Sequence, residues 1–401
     1  MTNTAKQDVP KEGEQRVKNL REQMIKNGID VMICMKPENT FYLSGFNPIM
    51  YSHPVVAILP LTGPLTLLVH ALRDDHARSS AWLSEIKLYG AWSTKETMGL
   101  DWLKVLGAIL TDMGVSAGRV GIEEDFLPLR RVKMLESIAP KAEFVDISRM
   151  IQLSRLIKEP SEIANARIAA KLADIGVETA IGALASGGSE RSAAMDGQSA
   201  MMREWVTEYP DIEVCSFGSM EGGVQNALWT WVLAGEHVML NCDNPTNRRP
   251  QEGEIAIVFA WGICNGIYVE NERSVAIGKL PDERKRAYDA VLEIREKTAP
   301  IMGPGLPVAQ LFNETVTHYK RLGYEKNIPG RIGHGMGLGA HEEPSIDGRS
   351  ELVLEPGMLF TFEPNLRVGN CGIQHSDTIL ITPDGFEYLT DTPRGYREIA
   401  I

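Results

Sequence analysis

GICNGIYVENERSVAIGK, residues 262–279, is the stretch on which the reading of the fold turns. Its Ile-, Val- and Tyr-rich run between glycines reads as a strand, yet Glu270 and Glu272 sit in it one residue apart, just ahead of Arg273. Strand side chains alternate, so Glu270 and Glu272 share a face with Tyr268, while Val269, Asn271 and Arg273 share the other. Facing a cavity, the two carboxylates would converge on whatever it holds. On a solvated edge strand they would only be hydrated.

The surrounding segments bear on that choice. PGRIGHGMGLGAHEEPS (329–345) sets His334 and His341 among glycines that let backbone approach a ligand closely. LEPGMLFTFEPNL (354–366) puts Glu363 in an apolar strand, where a buried carboxylate needs a partner. Arg273 reads as the partner of an acid inside the fold, and Met336 and Phe362 as packing. Trp229 and Trp231, at alternate positions, fit either one core face of a strand or the wall of a pocket. His341 fits either a structural loop position or a donor to substrate.

Outward from this core the chain divides in two. At 401 residues it exceeds what one core supports. From about 14 to 150, helical and short apolar segments alternate (EQRVKNLREQMIKNGI, DVMICM, VVAILP, PLTLLVH, DWLKVLGAILTDMG, RVGIEE), which predicts an α/β domain. At LIKEPSEIANARIAAKLADIGVETAI (156–181) a long helix begins, with Ser161 as the expected cap. The boundary is placed there, giving domains 1–157 and 158–401. The second groups strands around further helices at 281–300 and 308–323 and reads as α+β.

Composition sets the limits on partners. With 43% hydrophobic and 23% charged residues this is an ordinary globular chain. A net charge of −12 without basic runs points away from nucleic acid and membrane surfaces and toward a small-molecule or peptide substrate. No apolar run reaches the ~20 residues of a membrane helix, and the start lacks a signal-like stretch. A cytoplasmic protein is expected. Cys34, Cys215, Cys242, Cys264 and Cys371 are scattered without CxxC spacing and are expected to be reduced, mostly buried fillers.

The order of acid-bearing strand, histidine-containing glycine-rich loop, LEPGM with Phe-Glu-Pro, and a strand ending DTILIT resembles the C-terminal domain of the creatinase, prolidase and methionine aminopeptidase superfamily. The resemblance covers roughly residues 155–401. It implies a pita-bread catalytic domain preceded by an α/β creatinase-type domain. Metallopeptidases of that superfamily hold two metal ions on two aspartates, a histidine and two glutamates. Here those positions fall on Phe259, Glu270, His334, Glu363 and Ser376, so two ligands are replaced and a dinuclear site is not expected. No metal and no cofactor are expected, with a single weak ion on Glu270, His334 and Glu363 left open.

Within the superfamily the chain is similar to the metal-independent creatinase-like branch, through NALWTWVLAGEHVMLNCDNPTNRRPQEGE (226–254) and the glutamate just before the strand arginine, Glu272. That resemblance implies a hydrolase of a non-peptide C–N bond in a small guanidino, cyclic amidine or amide compound. Its catalytic residues would be His334, Glu363, Glu272 and Asp243, which stands where creatinase has a histidine; His237 and His375 are alternative bases. Substrate would meet Glu270, Tyr268, Trp231, His341 and His375, with Tyr51 and His53 of FNPIMYSHPVVAILP (46–60) reaching across a homodimer. The alternatives are an Xaa-Pro peptidase of the prolidase or aminopeptidase P kind with a reduced metal site, a dimethylsulfoniopropionate-lyase-like enzyme, and a pseudoenzyme that binds partners.

Overall fold

The computed structural model describes residues 4–218, 227–240 and 243–400, with side chains from residue 11 onward. The chain forms two compact units: Met1–Arg155 with Cys215–Gln225, and Leu156–Val214 with Asn226–Ile401. The division therefore falls two residues before the expected boundary, and the first unit takes back a short later segment. Cys34, Cys264 and Cys371 are free and buried, and Cys215 is buried; Cys242 lies outside the described residues.

Unit 1 is built on strands β1 (Val31–Cys34), β2 (Val56–Pro60), β3 (Thr66–His70), β4 (Ile86–Tyr89), β5 (Arg119–Ile122) and β6 (Glu143–Asp146). They run in the order β4-β3-β2-β1-β5-β6. The pairs β3/β4, β1/β5 and β5/β6 are parallel, and β1/β2 and β2/β3 antiparallel. Helices α1 (Thr4–Asn27), α2 (Pro37–Ser44), α3 (Asp74–Ser80), α4 (Trp102–Asp112), α5 (Leu129–Ile138) and α6 (Ser148–Ser154) complete it. This is the expected α/β pattern, with α2, α3, α6 and β4 as additions. Val31, Ile33, Ile58, Leu68, Leu106, Val120 and Ile122 make its core, fully buried from water.

Unit 2 opens with α7 (Pro160–Ala185) and α8 (Glu190–Glu208), and α9 (Asp282–Thr298) and α10 (Val308–Arg321) follow later. The cap of α7 is Glu159, not Ser161: the Glu162 carboxylate accepts the Glu159 N–H at 2.9 Å. Pro160 suits the first helical position, where no N–H is needed, and this moves the cap one residue before it. Among these helices, α8 is the one the reading of the sequence did not separate.

The sheet of unit 2 comprises β7 (Trp229–Ala234), β8 (Ile255–Cys264), β9 (Ile267–Ile277), β10 (His334–Gly335), β11 (Glu342–Ser345), β12 (Leu359–Phe362), β15 (Ser376–Thr382), β16 (Gly385–Tyr388) and β17 (Glu398–Ile399). Between β12 and β15 stands a separate hairpin, β13 (Asn365–Val368) with β14 (Cys371–Gln374). The main path runs β11-β10-β12-β15-β9-β8-β7, with β16 on β15 and β17 on β9.

Helix α7 covers the face of β9 that carries Val269, Asn271 and Arg273. Its Asp174 accepts the Asn271 side-chain amide at 2.7 Å, and its buried alanines (166, 169, 170, 173) let it lie close. At Gly262 the approach is so tight that a Cβ would stand 2.2 Å from the Ala169 carbonyl oxygen. The helix therefore closes one face of the sheet and leaves Glu270 and Glu272 on the other.

Candidate active site

Antiparallel register builds the site as rows across strands, because directly opposed residues share a face. Strand β8 sets Phe259 opposite Glu272 and Trp261 opposite Glu270. Strand β7 extends both rows, with Trp231 against Phe259 and Trp229 against Trp261. On the far side, β15 sets Ser376 opposite Glu272. The two positions where the superfamily's metal ligands are replaced, Phe259 and Ser376, thus flank Glu272 in a single row.

Each carboxylate has neutral partners. The Trp261 indole N–H donates to Glu270 Oε2 at 2.8 Å and the Ser376 hydroxyl to Oε1 at 2.7 Å. The Gln374 side-chain amide donates to Glu272 Oε2 at 2.6 Å. His334 Nε2 stands 3.8 Å from Glu270 Oε2 and 3.8 Å from Glu363 Oε2, while its Nδ1 lies 3.1 Å from the Gly335 carbonyl. The ring of His341 lies tilted against His334, with centroids 4.2 Å apart, and meets Trp261 edge-on at 5.8 Å. Tyr268 shares the face of Glu270, and its backbone N–H donates to the Gly337 carbonyl at 2.8 Å, pinning the glycine-rich loop to β9.

Burial and mutual repulsion sort the three acids. Burial pushes the Glu363 carboxyl well above the ordinary range, as do the Glu270 and Glu272 charges and a hydrogen bond shared with Glu270. Glu272 is likewise raised, by burial and then by Glu270. For Glu270 burial also acts upward, but His334, Trp261 and Ser376 outweigh it and hold the carboxyl below the usual range. Burial lowers His334, with Glu270 in partial opposition. Glu270 is thus the acid held toward its carboxylate form, while Glu272 and Glu363 are pushed toward the neutral acid and His334 toward the neutral imidazole.

Ligand atoms of Glu270, His334 and Glu363 all lie within 4.8 Å of one another, and all three residues are buried. Two carboxyl oxygens and an imidazole nitrogen are a hard donor set suited to one divalent ion. Phenylalanine at 259 offers no donor, and Ser376 is engaged with Glu270, so the residues present fit one ion and not a pair.

The remaining expected residues are placed elsewhere. His375 lies in the interior, its Nε2 3.3 Å from the Tyr288 hydroxyl, and is turned away from the face of its neighbour Ser376. Burial holds its imidazole well below the ordinary range, with Arg273 and Arg295 adding to the effect. Trp231 stacks on Phe259 with ring centroids 5.4 Å apart. Asp243 stands beside Trp231, whose indole N–H donates to its carbonyl oxygen at 2.5 Å. Tyr51 and His53 belong to unit 1, where His53 stacks on His70 at 4.0 Å. Trp261 and Gln374 escaped the reading of the sequence, although Trp261 shares the alternation of Phe259 and could have been placed by it.

Residues 164–383 match the model of metallopeptidase family M24, and residues 16–157 match the creatinase/prolidase N-terminal domain. The chain belongs to metallopeptidase family M24. It is 26% identical over 388 residues to the Xaa-Pro dipeptidase of Pyrococcus furiosus, covering 95% of this chain and 99% of that relative. It is 25% identical over 390 residues to a Bacillus creatinase, covering 94% and 90%. Among solved structures, the Xaa-Pro dipeptidase from Bacillus anthracis superposes with a TM-score of 0.82 at 22% identity, covering 96% and 99% of the two chains. These matches give this M24 chain the family's two-domain architecture, a creatinase-type α/β domain followed by a pita-bread domain, and place it in a family of hydrolases.

They also correct the expected reaction. Creatinase is one relative in a set made up mostly of Xaa-Pro dipeptidases and prolidases, which overturns the reading as a hydrolase of non-peptide C–N bonds. The geometry gives a physical reason. Glu272 and Glu363, expected to clamp a guanidinium as carboxylates, are both driven toward the neutral acid. The described helices include none long and apolar enough to cross a membrane.

Proposed function

We propose that this protein is a peptidase of the Xaa-Pro dipeptidase kind working with a single-ion site. The observation that carries the reading is the buried Glu270, His334 and Glu363 group, whose donor atoms lie within 4.8 Å of one another in a chain that aligns with Xaa-Pro dipeptidases over nearly its whole length. Those three residues would hold one divalent ion, which would supply Lewis-acid polarisation of the scissile carbonyl.

The chain's own residues do the rest. The Trp261 indole and the Ser376 hydroxyl fix both oxygens of Glu270, so that carboxylate cannot rotate away. Glu272, raised by burial and not one of the three ligands, is the acid left to hold a proton and pass it to the proline nitrogen, which leaves as an amine and needs one. The Trp229, Trp261 and Phe259 rings line the approach and exclude water from one side.

The test is proline release from Ala-Pro and Leu-Pro, together with metal analysis of the purified protein by mass spectrometry. About one divalent ion per chain is expected, with turnover lost to a chelator and lowered at least about 100-fold in Glu363→Gln. Two ions per chain would contradict the single-ion site, and no proline release from any Xaa-Pro peptide would sink the peptidase reading.

A further inference from the structure

The edge of the same sheet carries a second built feature. Trp229 and Trp231 of edge strand β7 meet at 4.4 Å between ring centroids, and Trp229 meets Trp261 at 5.2 Å. Trp229 is 36% exposed, so part of its ring is open to a ligand. These rings continue through Trp261 and His341 to His334, forming an aromatic wall from rim to catalytic centre.

Beside the rim stands an anion with an unusual support. Asp243 is half exposed. Its Oδ1 accepts the Asn244 N–H at 2.8 Å, and its Oδ2 lies 3.1 Å from His237 Nε2. The other ring nitrogen of His237 lies 2.9 and 2.8 Å from the two oxygens of Glu190. Glu190 is fully buried and also accepts from the N–H groups of Ala234 and Thr246 and the Thr246 hydroxyl, at 2.8, 2.9 and 2.7 Å.

An imidazole with a carboxylate at each nitrogen can donate to both only as the imidazolium. Burial works against that charge, but the Glu190 and Asp243 hydrogen bonds prevail and lift His237 above its ordinary range. The run of charges is therefore minus, plus, minus, with its exposed end at Asp243. The nearby cation Arg248 is engaged by Glu254 at 2.5 Å and does not neutralise it.

We propose that Trp229 and Asp243 form a cation subsite that selects peptides whose first residue is lysine or arginine, with Trp231, His237 and Glu190 as positioning residues. This rests on the peptidase reading above. A carboxylate beside an exposed tryptophan ring is the chemistry that receives an ammonium or guanidinium over the ring face. Distance decides which cation. Strands lie about 4.8 Å apart, so β7 is two steps, roughly 10 Å, across from the glutamates of β9. The α-ammonium of a dipeptide is two bonds, about 2.5 Å, from the carbonyl to be cleaved and stays near the centre. A lysine or arginine side chain spans the remainder.

Calorimetric titration of the full chain with Lys-Pro and with norleucyl-proline, which has the same aliphatic stem without the charge, tests this. Lys-Pro is expected to bind about tenfold tighter, with the ratio falling toward one in Asp243→Asn and part of the way in Glu190→Gln and Trp229→Leu. Asp243→Glu should restore part of it. Equal affinities in the unaltered protein, no binding of Lys-Pro, or an unchanged ratio in Asp243→Asn overturns the subsite. A lysyl preference without hydrolysis of either peptide refutes the peptidase reading and leaves the subsite standing; hydrolysis of both without preference does the reverse.

Discussion

Strand β9 handles buried charge in opposite ways on its two faces. On the face of Asn271 and Arg273, opposite charges are matched. Arg273 Nη2 meets Asp377 Oδ1 at 2.6 Å, Arg394 Nε lies 3.2 Å from the same oxygen, and Arg295 pairs with Oδ2. The remaining N–H groups of Arg273 go to the carbonyls of Glu272, Ser376, Thr392 and Pro393. On the face of Glu270 and Glu272, three carboxyl groups crowd together, and the ion pairs they make among the described residues are with His334 alone. The matched set is architecture. A crowd of like charge costs stability, and such costs persist where a site uses them.

The sharpest way to break that comparison is to remove the centre of the matched face. Asp377→Ala leaves Arg273 and Arg295 buried without their counter-ion, which should cost about 3–5 kcal/mol. For a unit of this size that lowers the unfolding temperature by roughly 6–10 °C in calorimetry. A loss below about 1 kcal/mol would mean that the carbonyl partners of Arg273 suffice and that the ion network is incidental.

Acid should act on the same face in a smaller degree. The Asp377 carboxyl is held at about 2: burial works upward, but Arg273, Arg295 and Arg394 overcome it. Its folded value lies below the unfolded one near 3.8. The pairing therefore stabilises the fold above about pH 4 and is lost as pH falls through about 2. The difference is worth about 2 kcal/mol. Denaturant unfolding between pH 5 and pH 2 should show an acid limb that is flatter in Asp377→Asn by that amount; equal slopes in the two proteins would remove Asp377 as its source.

The two faces also differ in how much could be read from the amino-acid order. Alternation alone separates Glu270 and Glu272 from Asn271 and Arg273, and an acid partner for Arg273 is legible because a buried guanidinium requires one. Which acid it is, Asp377, depends on the β9/β15 register, which no local pattern encodes. Phe259 and Ser376 are legible as replaced ligands, but their meeting in one row on either side of Glu272 appears only once the strands are paired. The Glu190–His237–Asp243 run was the least legible. Its members are a first-turn residue of α8, a residue of the 3-10 helix Gly235–Leu240 and a loop residue, 47 and six positions apart, and nothing around Glu190 signals that it is buried. The creatinase-like motifs misdirected the choice of reaction because Glu272 matches by position, while its burial beside Glu270 works against the charge that the match implied.

The finest test of the comparison exchanges a hydrogen bond on the other face. Ser376→Ala deletes the donor to Glu270 Oε1, and Trp261→Phe deletes the donor to Oε2 while keeping an aromatic ring in the row. If the carboxylate face is maintained for function, each change should cost only about 1 kcal/mol of stability, the scale of one hydrogen bond. Freed to rotate, Glu270 should hold an ion about 10–100-fold less tightly. Chelator titration followed by metal analysis would read that directly, beside thermal unfolding of the same samples. A drop in stability as large as that of Asp377→Ala, with ion affinity unmoved, would make the two faces of β9 alike and reduce Glu270 to one more structural acid.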